Sequence, residues 1–206
     1  MSQSDQSLQD DIAYMKTLVA DGGQVPALAG AHLVAAGIIY GAPLIVTWAG
    51  LEGILNLPRG VLGAISLWST AVYLPVMVLL VWMGRRLPRG GGTGRTFVAA
   101  WGNIGLVTVT ILACLIAVSF RLHRPELLAQ VWPPIAVALY AGAWCVFAIG
   151  SRRSAWWLVT LGCCATALAV ALLTGDPAEY LVLGLGLLLW MAAPGALLMW
   201  RARPPA

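Results

Sequence analysis

Charge is what this chain has least of: Asp, Glu, Lys and Arg make up 10% of its 206 residues. A soluble domain averages about 25%, and a water-exposed surface cannot be covered with so few. Disordered, collagenous and coiled-coil classes fail on the same composition. Lysine is reduced to one residue, Lys16, close to the N-terminus. That excludes a retinal-type Schiff base within a membrane segment. Histidine occurs twice, His32 near the cytoplasmic end of the first apolar run and His123 in the external loop after the third, so most of the bilayer separates them and they cannot ligate one haem within a subunit. The four cysteines, Cys114, Cys145, Cys163 and Cys164, all fall in apolar runs, so no extracellular disulfide framework is implied.

What is abundant is apolar: 60% of the residues, with a mean hydropathy of +0.86. Six stretches are long enough to cross about 30 Å of hydrocarbon, which takes roughly 20 helical residues. They are Ala27–Leu51, Val61–Met83, Phe97–Phe120, Val131–Gly150, Ala155–Thr174 and Glu179–Trp200. Lipid offers backbone groups no partner, and the runs lack period-two alternation, so helices are the form expected. The expectation is an all-α polytopic membrane protein with six transmembrane helices, a tail of residues 1–26, a bundle over 27–200 and a short tail over 201–206. Breaks between the runs carry turn residues: Pro58, the glycines of Gly90–Gly94, and Thr-Gly-Asp-Pro at 174–177.

Basic residues set the expected orientation. Lys16, Arg85, Arg86, Arg89, Arg95, Arg152, Arg153, Arg201 and Arg203 fall on one side, against Arg59, Arg121 and Arg124 on the other. The larger set belongs in the cytoplasm, with both termini, and the use of arginine for lysine and the compact loops point to a bacterial inner membrane. The net charge of +4 is then a topogenic signal with some anionic-lipid attraction, not a nucleic-acid footprint. The acidic residues before the first run, Asp5, Asp10, Asp11 and Asp21, are unlike the basic start of a signal peptide.

Ser7–Val19 reads as an amphipathic helix. Ser7 caps it, and Leu8, Ile12, Met15 and Val19 share a stripe opposite Asp10, Asp11 and Lys16. Such an acidic helix suits a cytoplasmic protein partner better than an anionic leaflet. A weak two-helix parallel repeat is also legible. Val34-Ala35-Ala36 with Gly41 aligns with Val98-Ala99-Ala100 and Gly105, and Ala71-Val72-Tyr73 aligns with Ala138-Leu139-Tyr140. Gly37-x-x-x-Gly41 and Ala138-x-x-x-Gly142 are candidate close-approach sites, while Pro43, Pro75 and Pro194 are expected to bend their helices.

The central part of every run lacks ionisable residues, which argues against ion-coupled pumping and voltage sensing. No motif sets a nucleophile beside a base at one depth, so no catalytic residue and no metal site is expected. No cofactor is expected either; His32, about a turn and a half into the first run, is the one position for an axial ligand to a haem or chlorophyll-type pigment. Its bland alternative is a hydrogen bond to a neighbouring helix.

Tryptophan is plentiful, with ten residues. Trp82, Trp101, Trp156, Trp157 and Trp200 fit one interfacial belt, Trp48 and Trp132 the other. Trp68, Trp144 and Trp190 lie deeper, with Tyr73 and Tyr140. These five are candidates to line a cavity for a flat apolar ligand, or to bond across helices to Ser69, Thr70, Asn103, Thr108 or Thr110.

Two local likenesses carry no function over. RGGGTGRT at Arg89–Thr96 lacks the glycine and lysine that a phosphate-binding loop needs where Arg89 and Arg95 stand. Trp132-Pro133-Pro134 with Leu139-Tyr140 is similar to the tryptophan-rich segment of the translocator family, but that family has five spans and a longer spacing. The leading expectation is a non-catalytic accessory subunit or regulator that contacts membrane or cytoplasmic proteins. The alternatives are a carrier or receptor for a small apolar ligand, then a pigment- or haem-binding subunit.

Overall fold

The computed structural model describes residues 28–85 and 93–202. Six helical spans are long and apolar enough to cross a membrane, as the composition requires. We label them α1 (Leu28–Leu51), α2 (Arg59–Arg85), α3 (Thr93–Leu122), α4 (Glu126–Ser151) and α5 (Ala155–Leu172), followed by a composite last span. That span is α6 (Ala178–Leu187), a π-helical turn (Leu188–Ala192) and α7 (Ala193–Arg201). The helix expected over Ser7–Val19 lies outside the described residues, as do Arg86, Arg89 and Arg203.

Helices run past several of the expected limits, because apolarity marks the hydrocarbon and the backbone keeps its hydrogen bonds beyond it. The largest difference is α4, which begins at Glu126 and carries Pro133 and Pro134 inside it. They are the eighth and ninth residues of the helix, past its first turn, so each removes one backbone hydrogen bond from α4.

The π turn has a local cause. Pro194 has no N–H, and its ring clashes with the carbonyl one turn back. The backbone widens just before it, with the Ala193 N–H reaching five residues back to the Leu188 carbonyl. Pro43 meets its helix differently, its carbonyl accepting from the Thr47 hydroxyl at 2.9 Å.

Small residues decide which helices touch. Gly30 lies on Gly195 and Met199, Gly37 on Ala192 and Leu187, and Gly41 on Gly184 and Leu188. Rising numbers meet falling ones, so α1 and the last span cross antiparallel, with backbones in contact. A Cβ at Gly37 would stand 2.7 Å from the Ala192 nitrogen, and one at Gly184 would stand 2.7 Å from the Gly41 carbonyl. The expected Gly37–Gly41 approach is therefore real. At Ala138–Gly142 it is not: both residues are exposed, and Gly142 makes only ordinary contact with Ile104 at 3.6 Å.

The last span packs on α5, α5 on α4, and α4 on α3. α2 reaches α1 through the Tyr73 and Tyr40 rings and through Leu62 against Gly50. The core is built by α4, α5, the last span and Leu33 of α1. Its α5 face, Trp156, Val159, Cys163, Ala167 and Val170, recurs every three or four residues as helix packing demands. Among the described side chains, α2 and α3 contribute one buried residue each, Ser69 and Ser119. Their apolar windows are 6% buried, against 33–39% for α4, α5 and the last span.

Candidate functional site

The five rings expected to share a cavity do not gather in one place, although Tyr73 stands within electrostatic reach of Tyr140. Trp68 is 70% exposed, on the lipid side of α2. Tyr73 meets Tyr40 of α1 edge to face, with centroids 5.3 Å apart. Trp190 lies across Gly162, its indole N–H donating to Thr166 Oγ1 at 3.1 Å. Tyr140 and Trp144 are the two that come together, in an aromatic cluster that also takes in Trp101, Phe147 and Trp156.

That cluster is the densest feature of the molecule. Trp144 is fully buried and lies near-parallel to Trp156, with centroids at 5.3 Å and planes 10° apart. Trp101 stands edge-on to Trp144 at 5.8 Å and stacks against Tyr140 at 6.0 Å. Phe147 closes the group, 5.9 Å from Trp144 and 5.1 Å from Trp156. Each geometry is one that the ring quadrupole favours. Trp144 Nε1 has no hydrogen-bond partner among the described residues. Trp156 was expected in the interfacial belt and is instead 4% exposed in the core, whereas Trp82, Trp157 and Trp200 are exposed as a belt requires. Rings of this kind supply contact area and rigidity, not acid–base chemistry.

Two of the hydroxyls proposed as indole partners serve their own helices instead. Ser69 donates to Ile65 O at 3.0 Å and Thr110 to Leu106 O at 3.0 Å, the usual recourse of a hydroxyl in a lipid-facing helix. Thr108 Oγ1 is buried without a partner among the described residues, and Asn103 is exposed. The hydroxyl that reaches an indole is Thr166, which was not foreseen. Its signal was the hairpin itself: Gly162 and Trp190 each stand fourteen residues from Asp176, and Thr166 and Gly186 each stand ten.

His32 is partly buried near the start of α1, two residues past Gly30 and therefore on another side of the helix. The hydrogen bond expected from it to a neighbouring helix is not made among the described residues. No group of three or more His, Cys, Asp or Glu that could hold a metal occurs among them either.

At the opposite end of the bundle the turns cap themselves. Asp176 Oδ1 accepts from the Ala178 N–H at 2.8 Å, and buried Glu179 Oε2 accepts from the Gly175 N–H at 3.1 Å. Gly175 holds φ +90°, a conformation that suits glycine. Ser119 and Arg124 bond reciprocally around His123, and Arg124 pairs with Glu126 at 3.7 Å in solvent. These carboxylates close loops rather than gather around a ligand.

No known protein family, curated protein or solved structure matches the chain.

Proposed function

We propose that the protein is a non-catalytic subunit of a membrane assembly. One half of the bundle is a rigid scaffold, and the other is a surface for packing against other proteins in the bilayer. The observation that carries this reading is the unevenness of the bundle. α4, α5, the last span and α1 are held by stacked rings and glycine contacts, while α2 and α3 present Leu67, Trp68, Val78, Leu106, Val109 and Phe120 outward. The acidic Ser7–Val19 segment adds a second contact, for a cytoplasmic protein. The arginine asymmetry supports both termini in the cytoplasm of a bacterial inner membrane. Absent charge at depth fits a subunit that neither pumps ions nor catalyses.

Extraction of the full chain with its surrounding lipid, followed by native mass measurement, tests this. An assembly heavier than one 21.7 kDa chain is expected. Deleting residues 1–23 should remove its cytoplasmic components and leave the membrane ones. A single chain alone in lipid overturns the reading.

A second reading, a carrier for a small apolar solute, is favoured by the unpartnered Trp144 N–H beside Tyr140. Solute-dependent quenching of tryptophan fluorescence should then vanish when Trp101, Trp144 and Trp156 are changed to Phe. Quenching that survives rejects that site.

A further inference from the structure

Carboxylates and arginines are unevenly divided between the two ends of the bundle. Of the chain's eight Asp and Glu, Glu52, Glu126, Asp176 and Glu179 stand at one end, and Asp5, Asp10, Asp11 and Asp21 precede α1. The opposite end is formed by the start of α1, the α4–α5 turn and the end of α7. Gly30 lies on Gly195 and Met199, which brings Leu28 level with the last turn of α7. Gly162 on Trp190 and Thr166 on Gly186 run α5 antiparallel to the last span, which brings the turn at Arg152 and Arg153 level with Arg201. All three arginines are exposed, and none makes an ion pair among the described residues. No carboxylate lies at that end among the described residues. Trp157 and Trp200, close to these arginines in the chain, are 42% and 66% exposed.

We propose that Arg152, Arg153 and Arg201 form a seat for the chain's own acidic segment, Ser7–Val19, with Asp10 and Asp11 against the arginines and the apolar stripe turned to the exposed rings. Charge selects this occupant first. The residues before α1 carry four Asp against Lys16, and they hold every carboxylate that the chain has on the arginine side. Reach selects it next. The stretch from Val19 to Leu28 extends to at most about 30 Å. Arg201 lies one helix spacing from α1 and the Arg152–Arg153 turn two, roughly 10 and 20 Å. Ser7–Val19 as a helix is about 20 Å long, enough to bridge them. Its attachment to α1 keeps it on the arginine side whichever way the bundle is inserted, at an effective concentration of about millimolar. Single exposed ion pairs contribute little, but several shared by a tethered segment act together. An anionic lipid headgroup would neutralise the arginines and repel the aspartates, whereas the segment satisfies both sets. A cytoplasmic partner of the segment then competes with the chain's own arginines for it.

The test uses the full chain in particles of neutral phosphatidylcholine, with Arg153→Lys or Arg201→Lys so that the seat offers an amine and keeps its charge. A zero-length carbodiimide joins an amine only to a carboxylate in contact with it, and mass spectrometry of the digest locates the bond. An amide from Asp10 or Asp11 to position 153 or 201 of the same chain is expected. Its yield should be at least tenfold above that at Arg124→Lys, which stands at the other end and should link to Glu126 instead. Raising salt to about 500 mM should lower the yield several-fold, because exposed pairs are screened. Adding anionic phosphatidylglycerol should leave the bond in place. No bond to the segment, bonds only between chains, or a yield unmoved by salt overturns the proposal. Loss of the bond in phosphatidylglycerol also overturns it, by giving the arginines to lipid. The subunit reading is tested separately: a lone chain that forms the bond keeps the seat and rejects the subunit, and an assembly without the bond does the reverse.

Discussion

Trp144 and Trp156 lie face to face across the α4–α5 hairpin, 5.3 Å apart and 10° from parallel. Both are buried, and Trp101, Phe147 and Tyr140 brace them from the sides. Because Trp144 makes no contact with the outside of the bundle, its removal leaves a cavity that lipid cannot enter. Trp144→Ala should therefore cost about 3–5 kcal/mol, as for large-to-small changes in packed cores. Trp68→Ala, on the lipid side of α2, should cost well under half of that. Reversible unfolding in mixed detergent micelles measures both; equal losses would mean that the cluster is not a core.

The α1–last span contact makes an opposite kind of prediction, because there the danger is added volume. Gly37→Val puts three carbons where the Ala192 nitrogen and Leu187 carbonyl already stand within 3 Å of a Cβ. Overpacking of this kind typically costs about 1–3 kcal/mol, and backbone on both sides leaves little to give way. Gly63→Ala in α2 meets nothing within 4 Å and should be neutral or slightly stabilising, since alanine is the better helix former. The pair of melting points, one lowered and one not, checks the geometry.

Thr166 and Trp190 test the value of a buried polar contact. Thr166→Val keeps the shape and removes the acceptor of the indole N–H, so the loss should be about 0.6–1.7 kcal/mol, the range for interhelical bonds in membranes. Trp190 emission should shift to shorter wavelength in that variant once its hydrogen bond is gone. An unchanged spectrum would place the indole elsewhere.

How these features relate to the sequence differs from residue to residue. The six spans and the Gly37–Gly41 approach were legible, because hydropathy and small-residue spacing act along one helix. A position along a span does not say which way its side chain faces. Trp68 lies deep in its span and still faces out, whereas Trp156, close to Arg152 and Arg153, turns inward. Only the three-to-four spacing with Val159, Cys163 and Ala167 marks Trp156 as a core position. Which helix receives that face depends on tertiary pairing, and pairing rests here on glycines whose partners lie up to 165 residues away, as between Gly30 and Gly195. Hydroxyls were misjudged for a related reason. Ser69 and Thr110 can satisfy themselves on their own helix, so a nearby indole exerts little claim on them.

The orientation expected from the arginines yields the sharpest test, because lysine is so scarce. Lys16 is the single lysine, and it shares the N-terminal tail with the α-amino group of Met1. With nine basic residues on the side of that tail and three on the other, the proposed orientation puts the tail in the cytoplasm. A membrane-impermeant amine reagent should therefore leave the chain unmodified in intact spheroplasts and label it after permeabilisation. Labelling before permeabilisation would invert the bundle. It would also move the acidic Ser7–Val19 segment outside and remove its cytoplasmic partner. A variant with the four arginines between α2 and α3, Arg85, Arg86, Arg89 and Arg95, changed to Gln narrows the asymmetry to five against three. It should insert as a mixture, seen as partial labelling, because the rule acts through the difference between the two sides.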